Sequence, residues 1–144
     1  EGRILGVDFG SRRIGLALSD MSRSIATPLK VVEYRGTLRR AAWLVNEAAS
    51  EHEVTRIVVG LPLALSGLDS EKTHEIREFV DFLRKLTDIP IDTCDERLTT
   101  VQATRSMKNA GMSEKQLRKK VDMVAASLIL QQYLDLESGG SFFH

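Results

Sequence analysis

The sequence predicts an α/β fold: a five-stranded mixed sheet with an antiparallel three-strand start, parallel strands after it, and helices on both faces. Three observations predict it. Ile4 to Asp20 holds two apolar runs of strand length joined by Gly10-Ser11-Arg12-Arg13, the pattern of two antiparallel strands and a short turn. Arg56 to Pro62 is a β-branched run without alternation, as in a strand buried on both sides and parallel to its neighbours. From Leu38 onward, segments of helical periodicity alternate with such short strands, the order that builds a sheet with crossover helices.

The hairpin fixes its own register. If Phe9 faces Ile14, then Val7 faces Leu16 and Leu5 faces Leu18, which makes one side of the ribbon continuously apolar. The other side pairs Asp8 with Gly15, Gly6 with Ala17 and Ile4 with Ser19, an open shelf around one carboxylate. Strand interiors are depleted in Asp, and an uncompensated buried carboxylate costs several kcal/mol. A metal ion answers that cost; so does a salt bridge to Arg12 or Arg13.

Ile25 to Tyr34 alternates weakly and contains Pro28, which predicts a third strand at the sheet edge, where a missing N–H is tolerated. Leu38 to Glu51 carries apolar residues at helical spacing behind Thr37, an N-cap type. Its Trp43 is assigned to packing. The strand Arg56 to Pro62 delivers a loop, Leu63 to Leu68, at its carboxyl end, where open α/β sheets place ligands. Asp69 to Leu86 is amphipathic and acid-rich in its first turns. Ile89 to Cys94 is the last strand, and Thr100 to Ala110 a helix stopped by Gly111. Ser113 and Gln116 form a capping box for the next helical segment. Val121 to Leu134 is apolar nearly all round, which predicts a buried helix started by Asp122, with Ala125 and Ala126 small enough to approach the bare side of the hairpin.

With 144 residues the chain is expected to form one domain over 1–137, followed by a disordered tail over 138–144. Hydrophobic residues at 42% and charged residues at 28% are globular values, and no apolar run has the length of a membrane span, so no membrane partner is expected. The first strand begins without an apolar leader, and a single Cys94 makes no intrachain disulfide; a cytoplasmic location is expected. His52, His74, His144 and Cys94 show no zinc-ligand spacing.

Net charge is zero, but Arg97 to Lys120 holds seven Lys or Arg against Glu114 alone. Such a segment suits a polyanion, or a solvated helix face balanced by the acids of Asp69 to Glu78. Asp95 and Glu96, adjacent at a strand-to-helix junction, suit a site or the capping of a helix whose N-cap is Thr99 or Thr100.

The chain resembles the RNase H-like superfamily, and within it the YqgF (RuvX) family of bacterial RuvC-like nucleases. The pieces that carry the resemblance are Gly6-Val7-Asp8-x-Gly10, Arg13-Ile14-Gly15-x-Ala17-x-Ser19-Asp20, Val59-Gly60-Leu61-Pro62 with Gly67, Asp95-Glu96-Arg97-Leu98-Thr99-Thr100, and Asp122-x-x-Ala125-Ala126-x-x-Ile129-Leu130-Gln131-x-Tyr133-Leu134. The resemblance implies that Asp8, Glu96 and Asp122 converge as catalytic residues and metal ligands for one or two Mg2+ or Mn2+ ions. Magnesium takes oxygen ligands and keeps several waters, so a few carboxylates suffice. It also implies a nucleic-acid partner. Arg12, Arg13, Lys119 and Lys120 would meet its phosphates as positioning contacts, with Asp95 supporting the metal ligands.

The implied activity is phosphodiester hydrolysis at the 5′ end of the small-subunit (pre-16S) rRNA precursor. The alternative within the class is resolution of four-way (Holliday) DNA junctions, which needs a dimer for paired nicks, whereas a monomer suits RNA processing. Related resolvases carry a further Asp one turn along the last helix, where this chain has Ala125, and the loop Leu63-Ala64-Leu65 is more apolar than the family's. Two other classes compete. An ATP-binding lobe of the actin and sugar-kinase type shares the Asp-x-Gly hairpin but needs two lobes, and 144 residues supply one. A non-catalytic nucleic-acid-binding module would use the same basic stretch.

Overall fold

The computed structural model describes residues 2–62, 70–96 and 114–139, apart from the side chains of 114, 115, 117–119 and 139. Five strands, β1 (Arg3–Phe9), β2 (Arg13–Ser19), β3 (Ala26–Glu33), β4 (Val54–Leu61) and β5 (Ile91–Asp95), form one sheet in the order β3-β2-β1-β4-β5. The first three pair antiparallel, and β1–β4 and β4–β5 pair parallel, so the mixed sheet expected from the sequence is present. The hairpin register is the expected one, from Leu5 opposite Leu18 to Phe9 opposite Ile14. At its open end the Ile4 N–H donates to Ser19 Oγ at 2.8 Å. Pro28 lies on the edge strand, where the ladder shifts register between Leu16 and Ala17.

Side chains alternate across strands, so the sheet has two different faces. One face presents Leu5, Val7, Phe9, Leu16, Ile57 and Val59 to helices α1 (Leu38–Glu51) and α2 (Glu71–Leu86) and forms the larger core. Phe9 stacks 4.6 Å from Phe79 between ring centroids. The other face presents Ile4, Ala17, Val58 and Cys94 to the long helix α3 (Glu114–Gly139), through Ala125, Ala126, Ile129, Leu130 and Leu134.

Several boundaries move. Helix α1 has the predicted limits, with Thr37 Oγ1 accepting from the Arg40 N–H. Helix α2 begins at Glu71, because Ser70 is its cap and accepts from the Thr73 N–H. Strand β5 begins at Ile91 after Pro90, since Ile89 donates to Thr87 Oγ1 in a local turn. The largest correction is α3. Asp122 does not start it but lies within it, for no Gly or Pro interrupts Glu114 to Ser138. Nor is it buried all round. Its buried positions recur at helical spacing on the side that meets the sheet, while Val121, Met123, Val124 and Leu128 are only half-buried. The helix also runs through Ser138 and Gly139, past the expected domain end at 137. Trp43, expected in packing, is 42% exposed with the Arg40 guanidinium 4.7 Å above its ring. The predicted helix Thr100 to Ala110, Gly111, Ser113 and the loop Leu63 to Leu68 lie outside the described residues.

Candidate active site

Asp8 occupies the middle of one transverse row of the sheet. Gly15 is its partner on β2. On the other side Gly60 follows the Val7–Val59 pair, level with Asp8, and is itself paired with Cys94 on β5. The carboxylate therefore has a glycine on either hand, on the face that receives α3. Each bare position is filled by the backbone or side chain of another acid. A Cβ at Gly15 would overlap the Asp122 carbonyl oxygen, and one at Gly60 would lie 2.6 Å from Ile129 Cδ1 and 2.9 Å from Glu96 Oε1. Neighbouring strands lie about 4.8 Å apart. Glu96 thus reaches over the strand on one side of Asp8, and Asp122 sits over the strand on the other.

Asp8 and Glu96 are each only 4% exposed. Asp122 is reached from the hairpin: Arg13 Nε donates to Asp122 Oδ2 at 2.7 Å. This charge-assisted bond joins the first turn of the chain to its last helix. The Arg13 guanidinium thus meets another acid of the predicted set. Asp8 and Asp122 line a cavity of about 300 Å³ together with Arg12, Arg13 and Lys72. Glu96 stands beside that cavity, over Gly60, and is not part of its wall. Among the described residues no three carboxylate, imidazole or thiolate groups close up into a metal-binding group. The donor set itself is all oxygen, at one row of the sheet, and fits a hard divalent cation.

Of the remaining predicted residues, Arg12 is exposed at the cavity wall and Lys120 is exposed on α3. Lys119 is on α3, and its side chain lies outside the described residues. Asp95 ends β5 opposite Leu61. Burial, and then the charges of Asp95 and Glu96, push the Cys94 thiol up to about 11; it is an inert member of the apolar cluster under α3.

Two features escape sequence reading. Lys72 enters the cavity because the first turn of α2 is pinned to the end of β4: Thr73 Oγ1 donates to the Pro62 carbonyl at 3.0 Å. A cation in the first turn of a helix opposes the macrodipole, and that oddity in an acid-rich turn was the available signal. Tyr34 is buried and holds the hairpin turn, its N–H donating to the Arg12 carbonyl at 3.0 Å and its hydroxyl to the Gly10 carbonyl at 3.1 Å. Burial, then the charge of Glu75, raises its phenol. Nothing in the sequence distinguishes it from an ordinary strand end.

A family model described as RuvX, Holliday junction resolvase, matches residues 2–136. A protein of Protochlamydia amoebophila (strain UWE25) named "Putative pre-16S rRNA nuclease" is 45% identical over 139 residues, which cover 92% of this chain and 93% of that protein. One of the same name from Roseiflexus sp. (strain RS-1) is 44% identical over 137 residues, covering 93% and 94%. Among solved structures, the yeast mitochondrial Holliday junction resolvase Ydc2 is similar with a TM-score of 0.64 at 13% identity, over 99% of this chain and 81% of that one. T. thermophilus RuvC in complex with a Holliday junction substrate gives 0.59 at 12% identity, over 96% and 97%. The two solved structures establish the likeness of fold, which is RuvC-like.

Proposed function

This chain belongs to the RuvX family, and from that premise we propose that it is a metal-dependent nuclease, a hydrolase that processes the 5′ end of pre-16S rRNA in ribosome biogenesis. The observation that carries the reading is the cavity between β1 and α3, where Asp8 and Asp122 face Arg12, Arg13 and Lys72. Acids to hold a cation and bases to hold a phosphate in one small space are what phosphodiester hydrolysis asks of a protein.

Asp8, Glu96 and Asp122 would hold the ion, Mg2+ or Mn2+ in one or two copies. When bound it supplies Lewis-acid activation of water and neutralises charge at the leaving oxygen. The chain's own residues do the rest. Arg13 fixes the direction of the Asp122 carboxylate. Arg12 and Lys72 orient the substrate through its non-bridging oxygens, as Lys119 and Lys120 do further along the strand. The glycines at 15 and 60 let the helix and Glu96 approach without a side chain intervening.

The pre-16S substrate rests on the names of the relatives, and it makes the bacterial cytoplasm the place of action and a single copy sufficient. The family's description points to Holliday junctions instead. Against that reading, Ala125, one turn beyond Asp122, is fully buried in the apolar cluster with Ala126 and Ile129, so α3 offers no further carboxylate there. The test is to incubate the protein and magnesium with an RNA spanning the precursor 5′ end and, separately, with a four-way DNA junction. Shortening of the RNA alone is expected. Paired nicks in the junction alone would establish the resolvase reading, and binding without cleavage of either would leave a non-catalytic module.

A further inference from the structure

The cavity at Asp8 continues into a larger groove of about 860 Å³, and Ser11, Arg12 and Arg13 line both. The groove is lined further by Glu33 at the end of β3 and by Tyr34, Arg35 and Gly36 of the β3–α1 connection. Three guanidinium groups, those of Arg12, Arg13 and Arg35, therefore face one carboxylate. Arg13 is already joined to Asp122. Arg12 and Arg35 are exposed and make no ion pair among the described residues.

Volume alone would allow a compact ligand, but such ligands take pockets walled mainly by apolar and aromatic groups. The one aromatic residue here, Tyr34, is 8% exposed and belongs to the core beside Phe9, at 6.1 Å between ring centroids. What Tyr34 contributes to the groove is rigidity. Its two hydrogen bonds to the Gly10 and Arg12 carbonyls tie the turn that carries Arg12 to the connection that carries Arg35. Two exposed cations on segments joined by a fixed link thus border one groove whose lining holds a single carboxylate, Glu33, and the excess positive charge favours an anion there.

We infer that this groove receives the sugar–phosphate backbone of single-stranded RNA flanking the scissile bond, with a phosphate seated between Arg12 and Arg35. The inference rests on the nuclease reading above, and it assigns a substrate-binding role to Arg35. The strand then runs from the Asp8 cavity around the hairpin turn toward the start of α1. Backbone contacts of this kind position a substrate without reading its sequence.

Binding of a single-stranded RNA with the precursor 5′ sequence, measured by fluorescence anisotropy without metal across a salt series, tests it. Each phosphate contact on a single strand adds about 0.7 to the slope of log K against log salt. Arg35→Gln should lower the slope by about that amount and weaken binding roughly fivefold at 0.1 M salt. The double variant with Arg12→Gln should lower it by about twice as much, and Arg35→Lys should restore it. Because Arg35 is exposed, melting temperatures should not change, which checks that each variant is folded. A parent that binds and cuts the RNA while Arg35→Gln keeps the parental slope would overturn this inference and leave the nuclease reading standing. A parent that neither binds nor cuts the RNA would overturn the reading, and this inference with it.

Discussion

Leu16 and Gly15 are neighbours on β2 and look to opposite faces of the sheet. Leu16, opposite Val7, faces α1 and α2 among large aliphatic and aromatic side chains. Gly15, opposite Asp8, faces α3 with the Asp122 carbonyl against it. On the first face volume does the work, because burying large apolar groups against two helices supplies the stability of the domain. The second face removes volume. Gly6, Gly15, Ala17 and Gly60 bring one helix so near that polar groups of distant segments meet around Asp8. On the proposed function, stability and chemistry are therefore divided between the two sides of the same strands, residue by residue.

That division can be broken from either side. Leu16→Ala should cost the most stability, roughly 2 to 5 kcal/mol, while the cleavage rate per folded molecule stays at the parental value. Urea unfolding and a cleavage assay below the transition check both halves, and a Leu16→Ala enzyme that is folded but inactive would show that the faces are not separable. Gly15→Ala adds one methyl group where the helix backbone already sits, so it should cost roughly 1 to 3 kcal/mol. Unlike Leu16→Ala, it should also depress cleavage in the folded protein, since α3 carries Asp122 away when it yields. Full activity in Gly15→Ala would mean that the close approach is only packing.

Much of the first face was legible in the sequence, because period-two alternation and a short turn leave a hairpin only one register that buries its apolar set. Helix α1 was legible for a similar reason, its cap and its stripe agreeing at Thr37 and Leu38. The second face was legible only in part. Small residues at 6, 15 and 17 announced an open shelf, but nothing local announced what would fill it. The Arg13–Asp122 pair spans 109 positions, and charge alone does not name a partner at that distance. That Asp8, Glu96 and Asp122 act as one set is a reading that only the resemblance supplied, as no spacing rule connects three acids on a strand, a strand end and a helix. The all-round apolar reading of Val121 to Leu134 failed because composition does not reveal that the helix rests on one face of a sheet. Lys72 at the cavity and Arg35 in the groove were not singled out, since neither belongs to a charge run or a motif.

The smallest expected change in stability carries the most information. Asp8→Asn keeps the shape of the side chain and removes one charge, which on the proposed metal site relieves repulsion among Asp8, Glu96 and Asp122 in the metal-free protein. It should abolish magnesium-dependent cleavage while leaving the metal-free protein as stable as the parent or more so, by something on the order of 1 kcal/mol. Magnesium should raise the melting temperature of the parent more than that of the variant, because an ion bound only by the native state stabilises it. Thermal melts of the two proteins with and without magnesium are the direct test of Asp8 as a metal ligand. The account predicts an undiminished metal-free variant with a blunted magnesium response; a clearly destabilised metal-free variant whose magnesium response equals the parent's would contradict it.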